Sequence, residues 1–194
     1  YCGETLNDQY HGRGVYIYDN GNYYVGEFEN ELMNGYGRFV YHSGNIYYGE
    51  FKDDMMHGFG VFEYSDGDRY EGMFFEDEMS GYGKYIFSDG DYYEGGFAND
   101  KKNGSGIIYY TNGDRFEGEW VDDKKSNKGR IYFNNGDIYE GYWKDNTKNG
   151  NGIYTLSNNE KIELTFINDE IDPNTYTYKI LSLKNETFSN FTKL

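Results

Sequence analysis

The sequence predicts an all-β protein, an elongated single-layer antiparallel β-meander of stacked 23-residue hairpin repeats. Three observations carry this: glycines recur at one spacing, aromatic residues flank them on a two-residue period, and Asx-Gly pairs punctuate each unit. The glycine series runs Gly3, Gly26, Gly49, Gly72, Gly95, Gly118 and Gly141, and the next position is Leu164. Seven regular units are therefore followed by a degenerate one.

In the first strand of a unit, Tyr24, Gly26 and Phe28 alternate, as do Tyr47, Gly49 and Phe51, or Tyr139, Gly141 and Trp143. Period-two alternation puts all three on one face of a strand. Glycine there leaves space for a ring from the neighbouring strand. A second strand is marked by glycine pairs such as Gly35/Gly37, Gly58/Gly60 and Gly81/Gly83, with aromatics continuing the same parity at Phe62 and Tyr64. A loop of about half a dozen residues is expected between the two strands. Asn20-Gly21, Asp66-Gly67, Asp89-Gly90 and their relatives then read as two-residue hairpin turns. Roughly sixteen strands at about 4.8 Å each give a twisted ribbon on the order of 75 Å long. Each hairpin is held by its neighbours. Two regions follow, residues 1–161 as seven repeats and 162–194 as a C-terminal cap in which Tyr176 to Leu183 is the returning strand. The chain opens at Tyr1 with no comparable cap, so further units are expected before it.

Composition fits a thin core. The 24 Tyr and 14 Phe supply most of the apolar bulk, and phenol hydroxyls need a wet or hydrogen-bonded end. A net charge of −16 repels nucleic acid and anionic lipid surfaces. No stretch is apolar enough for a membrane-spanning helix or a signal peptide, so the chain is expected to be soluble. Cys2 is the only cysteine, which excludes an internal disulfide and fits a reducing, cytoplasmic compartment.

Tyr70-Glu71-Gly72-Met73-Phe74, Tyr93-Glu94-Gly95-Gly96-Phe97 and Tyr139-Glu140-Gly141-Tyr142-Trp143, each followed by Gly-x-Gly, resemble the MORN (membrane occupation and recognition nexus) repeat. His11-Gly12-Arg13-Gly14 and His57-Gly58-Phe59-Gly60 match its His-Gly-x-Gly form. The resemblance covers about residues 1–161. It implies a single-layer sheet acting as a non-enzymatic scaffold, dimerisation or targeting module at cytoskeletal or membrane-associated structures. The alternative it implies is a targeting module from a larger enzyme, a lipid kinase or a lysine methyltransferase.

Partner recognition is sought where units differ. On the face opposite the glycines and rings, Tyr36, Tyr48, Phe59, Met73, Phe75 and Tyr82 form an apolar crowd suited to a helix or extended peptide. The alternative is a twisted ribbon that buries both faces, or a second copy of the chain covering this one. In the inter-strand loop, Met33, Met56 and Met79 give way to Lys102, Lys125 and Lys148, joined by Lys101 and Lys124. The methionines are expected on an exposed edge as adaptable partner contacts. The lysines are expected as an edge for self-association or an anionic partner, phospholipid included, although net charge weighs against lipid. Drift among solvated loop residues explains both columns equally well.

Nothing in the pattern points to catalysis or a cofactor. His11, His42 and His57 fall in different units and do not converge on a metal. Asp66-Gly67-Asp68 lacks the other ligands of a calcium loop and sits where turn chemistry already demands Asx and Gly. Gly35-Tyr36-Gly37 opens no helix and is not a phosphate loop.

Overall fold

In a typical unit a seven-residue strand, Tyr23–Glu29, runs against a nine-residue strand, Leu32–Val40. The computed structural model describes residues 1–173. They form one 16-stranded antiparallel sheet in which each strand pairs with its neighbours in chain order. The predicted returning strand, Tyr176 to Leu183, lies outside the described residues.

The two kinds of turn are exchanged relative to the sequence expectation. Strands Tyr23–Glu29 and Leu32–Val40 are joined by two residues, Asn30 at φ 52° and Glu31 at φ 70°, in place of a half-dozen-residue loop. Positive φ at both central positions gives the turn whose twist suits a hairpin, and Asx opens it because it tolerates that region. The Asn-Gly pairs lie in longer connections between units. Tyr18 donates its N–H to the Asn22 carbonyl at 2.9 Å, Gly21 donates to the Tyr18 carbonyl at 3.0 Å, and Gly21 is left-handed at φ 85°.

A bulge inside the second strand accounts for the difference. Gly26 pairs with Gly37 but Phe28 pairs with Met33, so the step from Met33 to Gly37 faces the shorter step from Phe28 to Gly26. Gly35, at φ 88°, sits in the bulge. The strand therefore starts at Leu32, before the glycine pair that marks it in sequence.

The core is a ladder of rings on one face. Tyr24, Tyr47, Tyr70, Tyr93, Phe116 and Tyr139 are fully buried. A Cβ at Gly49 or Gly60 would overlap the Tyr47 ring, so the glycine pair is the bed on which that ring lies. The ring covers its own strand's glycine as well as the neighbouring strand's. The Tyr47 hydroxyl donates to the Glu50 carbonyl at 2.9 Å, which satisfies the polar end of a buried phenol. Tyr47 meets Phe51 of its own unit edge-on at 5.0 Å and Phe74 of the next unit at 5.1 Å. The same edge-to-face contacts continue through Tyr139 to Phe166, each contributing roughly 0.5–1.5 kcal/mol beyond burial.

Aspartates staple successive units along one edge. Met56 donates its N–H to Asp77 Oδ1 at 2.8 Å, while Asp77 donates its own N–H to the Met56 carbonyl at 3.1 Å. Asp54, Asp100, Asp123, Asn146 and Asp169 repeat the side-chain half of this clasp. On the other edge Asp68 Oδ1 accepts the Ser88 N–H at 2.8 Å, and Asp66 Oδ1 accepts the Asp68 N–H at 3.2 Å. These side-chain oxygens, carboxylate in all but Asn146, hold turns and neighbouring units.

Candidate functional site

The methionine column is not on the surface. Met33, Met56 and Met79 are only 6%, 8% and 7% exposed, because each is the second residue of a strand and faces the rings. The Tyr18 hydroxyl lies 3.9 Å from Met33 Sδ. Sequence reasoning placed them on an exposed loop because the bulge hid the strand start; they contribute packing to the core.

Lys102, Lys125 and Lys148 occupy the same column and enter the same aromatic layer. Lys102 Nζ lies 5.2 Å from the Phe87 centroid, 5.8 Å from Tyr93 and 5.6 Å from Trp120. Lys125 is held by Tyr110, Phe116 and Trp143, and Lys148 by Tyr139, Tyr154 and Phe166. Burial holds the Lys125 ammonium below its usual pKa, opposed by the charge of Asp169. A cation over ring faces replaces a sulfur among them. Lys101 and Lys124 point the other way and stay exposed, yet pair with Asp122 at 3.9 Å and Asp145 at 3.1 Å. The five lysines thus do not form the continuous basic edge expected from sequence.

The apolar crowd on the opposite face is where it was expected. Tyr36 is 64% exposed and Tyr82 67%, and Tyr48, Phe59, Met73 and Phe75 are also exposed. Phe59 pairs directly across strands with Met73. Arg38 lies between Tyr23 and Tyr48, its guanidinium 6.0 Å and 5.3 Å from their centroids.

Farther along the same face the chemistry changes, a feature missed at the sequence level. The residue before the repeat glycine is Cys2, Val25, Tyr48, then Glu71, Glu94, Glu117 and Glu140, and Glu163 stands before Leu164 at the eighth position. Register sets this column in one row with the second-strand residues Arg38, Val61, Lys84, Ile107, Arg130 and Ile153. The signal was a glutamate series at the repeat spacing. Over the last units the sheet forms a trough of about 1000 Å³, floored by Gly95, Gly106, Gly118, Gly129, Gly141 and Gly152 and walled by Tyr82, Ile107, Tyr142 and Ile153. Five glutamates line it against Lys128 and Arg130. Arg130 Nη2 pairs with Glu140 at 2.7 Å, and Lys84, just outside, pairs with Glu94 at 2.7 Å. Glu117, Glu119 and Glu163 have no ion-pair partner among the described residues.

Seven consecutive stretches, 1–23, 24–46, 47–69, 70–92, 93–115, 116–138 and 139–161, match the MORN repeat. The chain belongs to the MORN repeat family. The match ends where the sequence pattern placed the last regular unit, and residues 1–161 of this MORN protein contain no identified catalytic domain. No curated protein matches the chain. Among solved structures, the SAS-4 (dCPAP) TCP domain of Drosophila melanogaster, in complex with a proline-rich motif of Ana2 (dSTIL), is similar at 17% identity and a TM-score of 0.41. That likeness covers 79% of this chain and 83% of that one. The TCP10 domain of Danio rerio CPAP in complex with a STIL peptide is similar at 14% identity and a TM-score of 0.27, over 82% and 91% of the two chains.

Proposed function

We propose that this MORN array is a non-enzymatic scaffold that binds a segment of a partner protein across the face opposite its ring core. The observation that carries the reading is the exposed set Tyr36, Phe59, Met73 and Tyr82, carried on one face by four of five neighbouring strands, the fifth placing Glu50 opposite Tyr36, with no other described residue covering them. A solvated sheet face ordinarily alternates polar residues outward, and a contiguous apolar patch marks a docking surface. The aromatics stand on paired strands, so the surface is preformed and ordering costs on binding fall mainly on the ligand. A cytoplasmic assembly attached to cytoskeleton or membrane is the setting proposed, and a fluorescent fusion tests it.

Affinity capture with the wild-type chain and with Phe59→Ser/Phe75→Ser, each checked for an intact sheet by circular dichroism, tests the binding surface. Loss of the captured partner in the double variant is expected. An unchanged partner set overturns the reading.

A further inference from the structure

The binding face is divided. Over the early units Tyr36, Tyr48, Phe59 and Met73 dominate it around Arg38 and Glu50, and from Glu71 onward its central column is acidic. The trough over the later units keeps unneutralised carboxylates at Glu117, Glu119 and Glu163 beside the apolar walls Ile107 and Ile153. Glutamates of the column recur every two strands, about 9.6 Å apart. That interval matches every third residue of an extended chain, about 10 Å, or every seventh residue of a helix, about 10.5 Å.

We infer that the segment docked on this face is bipartite, with aromatic or aliphatic anchors toward Tyr36 and Phe59 and a Lys/Arg-rich end in the glutamate-lined trough over units five to eight. The inference rests on the proposed binding function and adds the ligand's chemistry and direction. Charge complementarity selects the occupant. A cationic side chain entering the trough meets several carboxylates within a short distance, two of them, Glu117 and Glu163, exposed and so reachable without rearranging the sheet. The same carboxylates repel an anionic phospholipid surface, so the trough and the rest of the molecule agree in sign. The step from apolar to acidic chemistry along one face also fixes which way the segment runs, since reversal leaves cations over Phe59 and apolar anchors over Glu117.

Display selection of random peptides of about 20 residues, long enough to cross most of the face, tests this on the intact chain. The wild type is compared with Glu117→Lys/Glu163→Lys and with Phe59→Ser/Phe75→Ser. Both sets of side chains are solvent-facing, and the fluorescence of the buried Trp120 and Trp143 verifies folding. Wild-type selectants are expected to carry about twice the Lys and Arg of the input library, clustered at one end with apolar residues at the other. The lysine variant should lose the basic bias, and a recovered peptide should weaken about tenfold between low and high salt. Apolar selectants with no basic bias, lost in the serine variant, overturn the cationic half and leave the binding function standing. No enrichment over an unrelated protein overturns both. A dimer in sedimentation that dissociates with Glu117→Lys/Glu163→Lys assigns the trough to a second copy and overturns the partner-segment inference.

Discussion

Lys125 Nζ lies 4.9 Å from the ring centroid of Phe116, in the position within its unit that Met33, Met56 and Met79 hold in theirs. An ammonium group and a thioether are thus interchangeable fillers of one aromatic cage. Lys125→Met is expected to leave thermal stability within about 1 kcal/mol of wild type, since sulfur–ring contacts replace cation–ring contacts. Lys125→Glu places an anion against negative ring faces and is expected to cost about 2–4 kcal/mol by urea denaturation. Equal stability of the two variants would refute the cage.

The glycine bed under each buried tyrosine makes a second test. Gly60→Ala puts a methyl group where the Tyr47 ring lies, and a loss of about 1–3 kcal/mol is expected from the overpacking. Tyr47→Phe removes only the hydroxyl bonded to the Glu50 carbonyl and should cost about 1 kcal/mol. Phe116 already stands in this position in the sixth unit. A larger effect from the tyrosine change than from the glycine change would reverse the assignment.

The inter-unit clasp predicts a split between two substitutions of one residue. Asp77→Asn keeps an acceptor for the Met56 N–H and a residue that tolerates φ 70°, and Asn146 does the same work in the seventh unit, so stability should hardly move. Asp77→Ala loses both and is expected to cost about 2–3 kcal/mol. Thermal melts of the pair decide it.

Alkaline pH should unfold the array. Burial, with the charges of nearby aspartates adding, pushes Tyr64, Tyr110 and Tyr139 up to about 12, and burial also raises Tyr24, Tyr47, Tyr70 and Tyr93. The folded state therefore keeps protons that the unfolded chain releases near pH 10. This contribution to stability is complete below about pH 10 and is lost as pH climbs through the raised values. Phenolate absorbance should rise steeply together with loss of the sheet signal. Ionisation of all tyrosines at an ordinary pKa with the sheet intact would refute it.

Architecture was legible because glycine spacing and ring parity are both direct consequences of strand geometry. Gly26, Gly49 and Gly72 locate the strands, and Tyr24 and Phe28 name the core face. The positions of Met33 and Lys102 were not legible. A bulge around Gly35 displaces pairing without leaving a break in composition, so a strand start looked like a loop. Tyr36, Phe59 and Tyr82 were found as exposed apolar residues because parity alone places them outward. The acidic column at Glu94, Glu117 and Glu140 was written at the repeat spacing but gains meaning only when register lines it up with Ile107, Arg130 and Ile153 across a trough.

Each ring of the ladder touches only its own unit and the next, as Tyr70 does with Phe74 and Phe97. Interactions of that range let the array grow or shrink by whole units without redesigning its interior. Every duplication lengthens the ribbon by two strand spacings, about 9.6 Å. The number of repeats is therefore a ruler, setting how far apart the two ends hold whatever is attached to them.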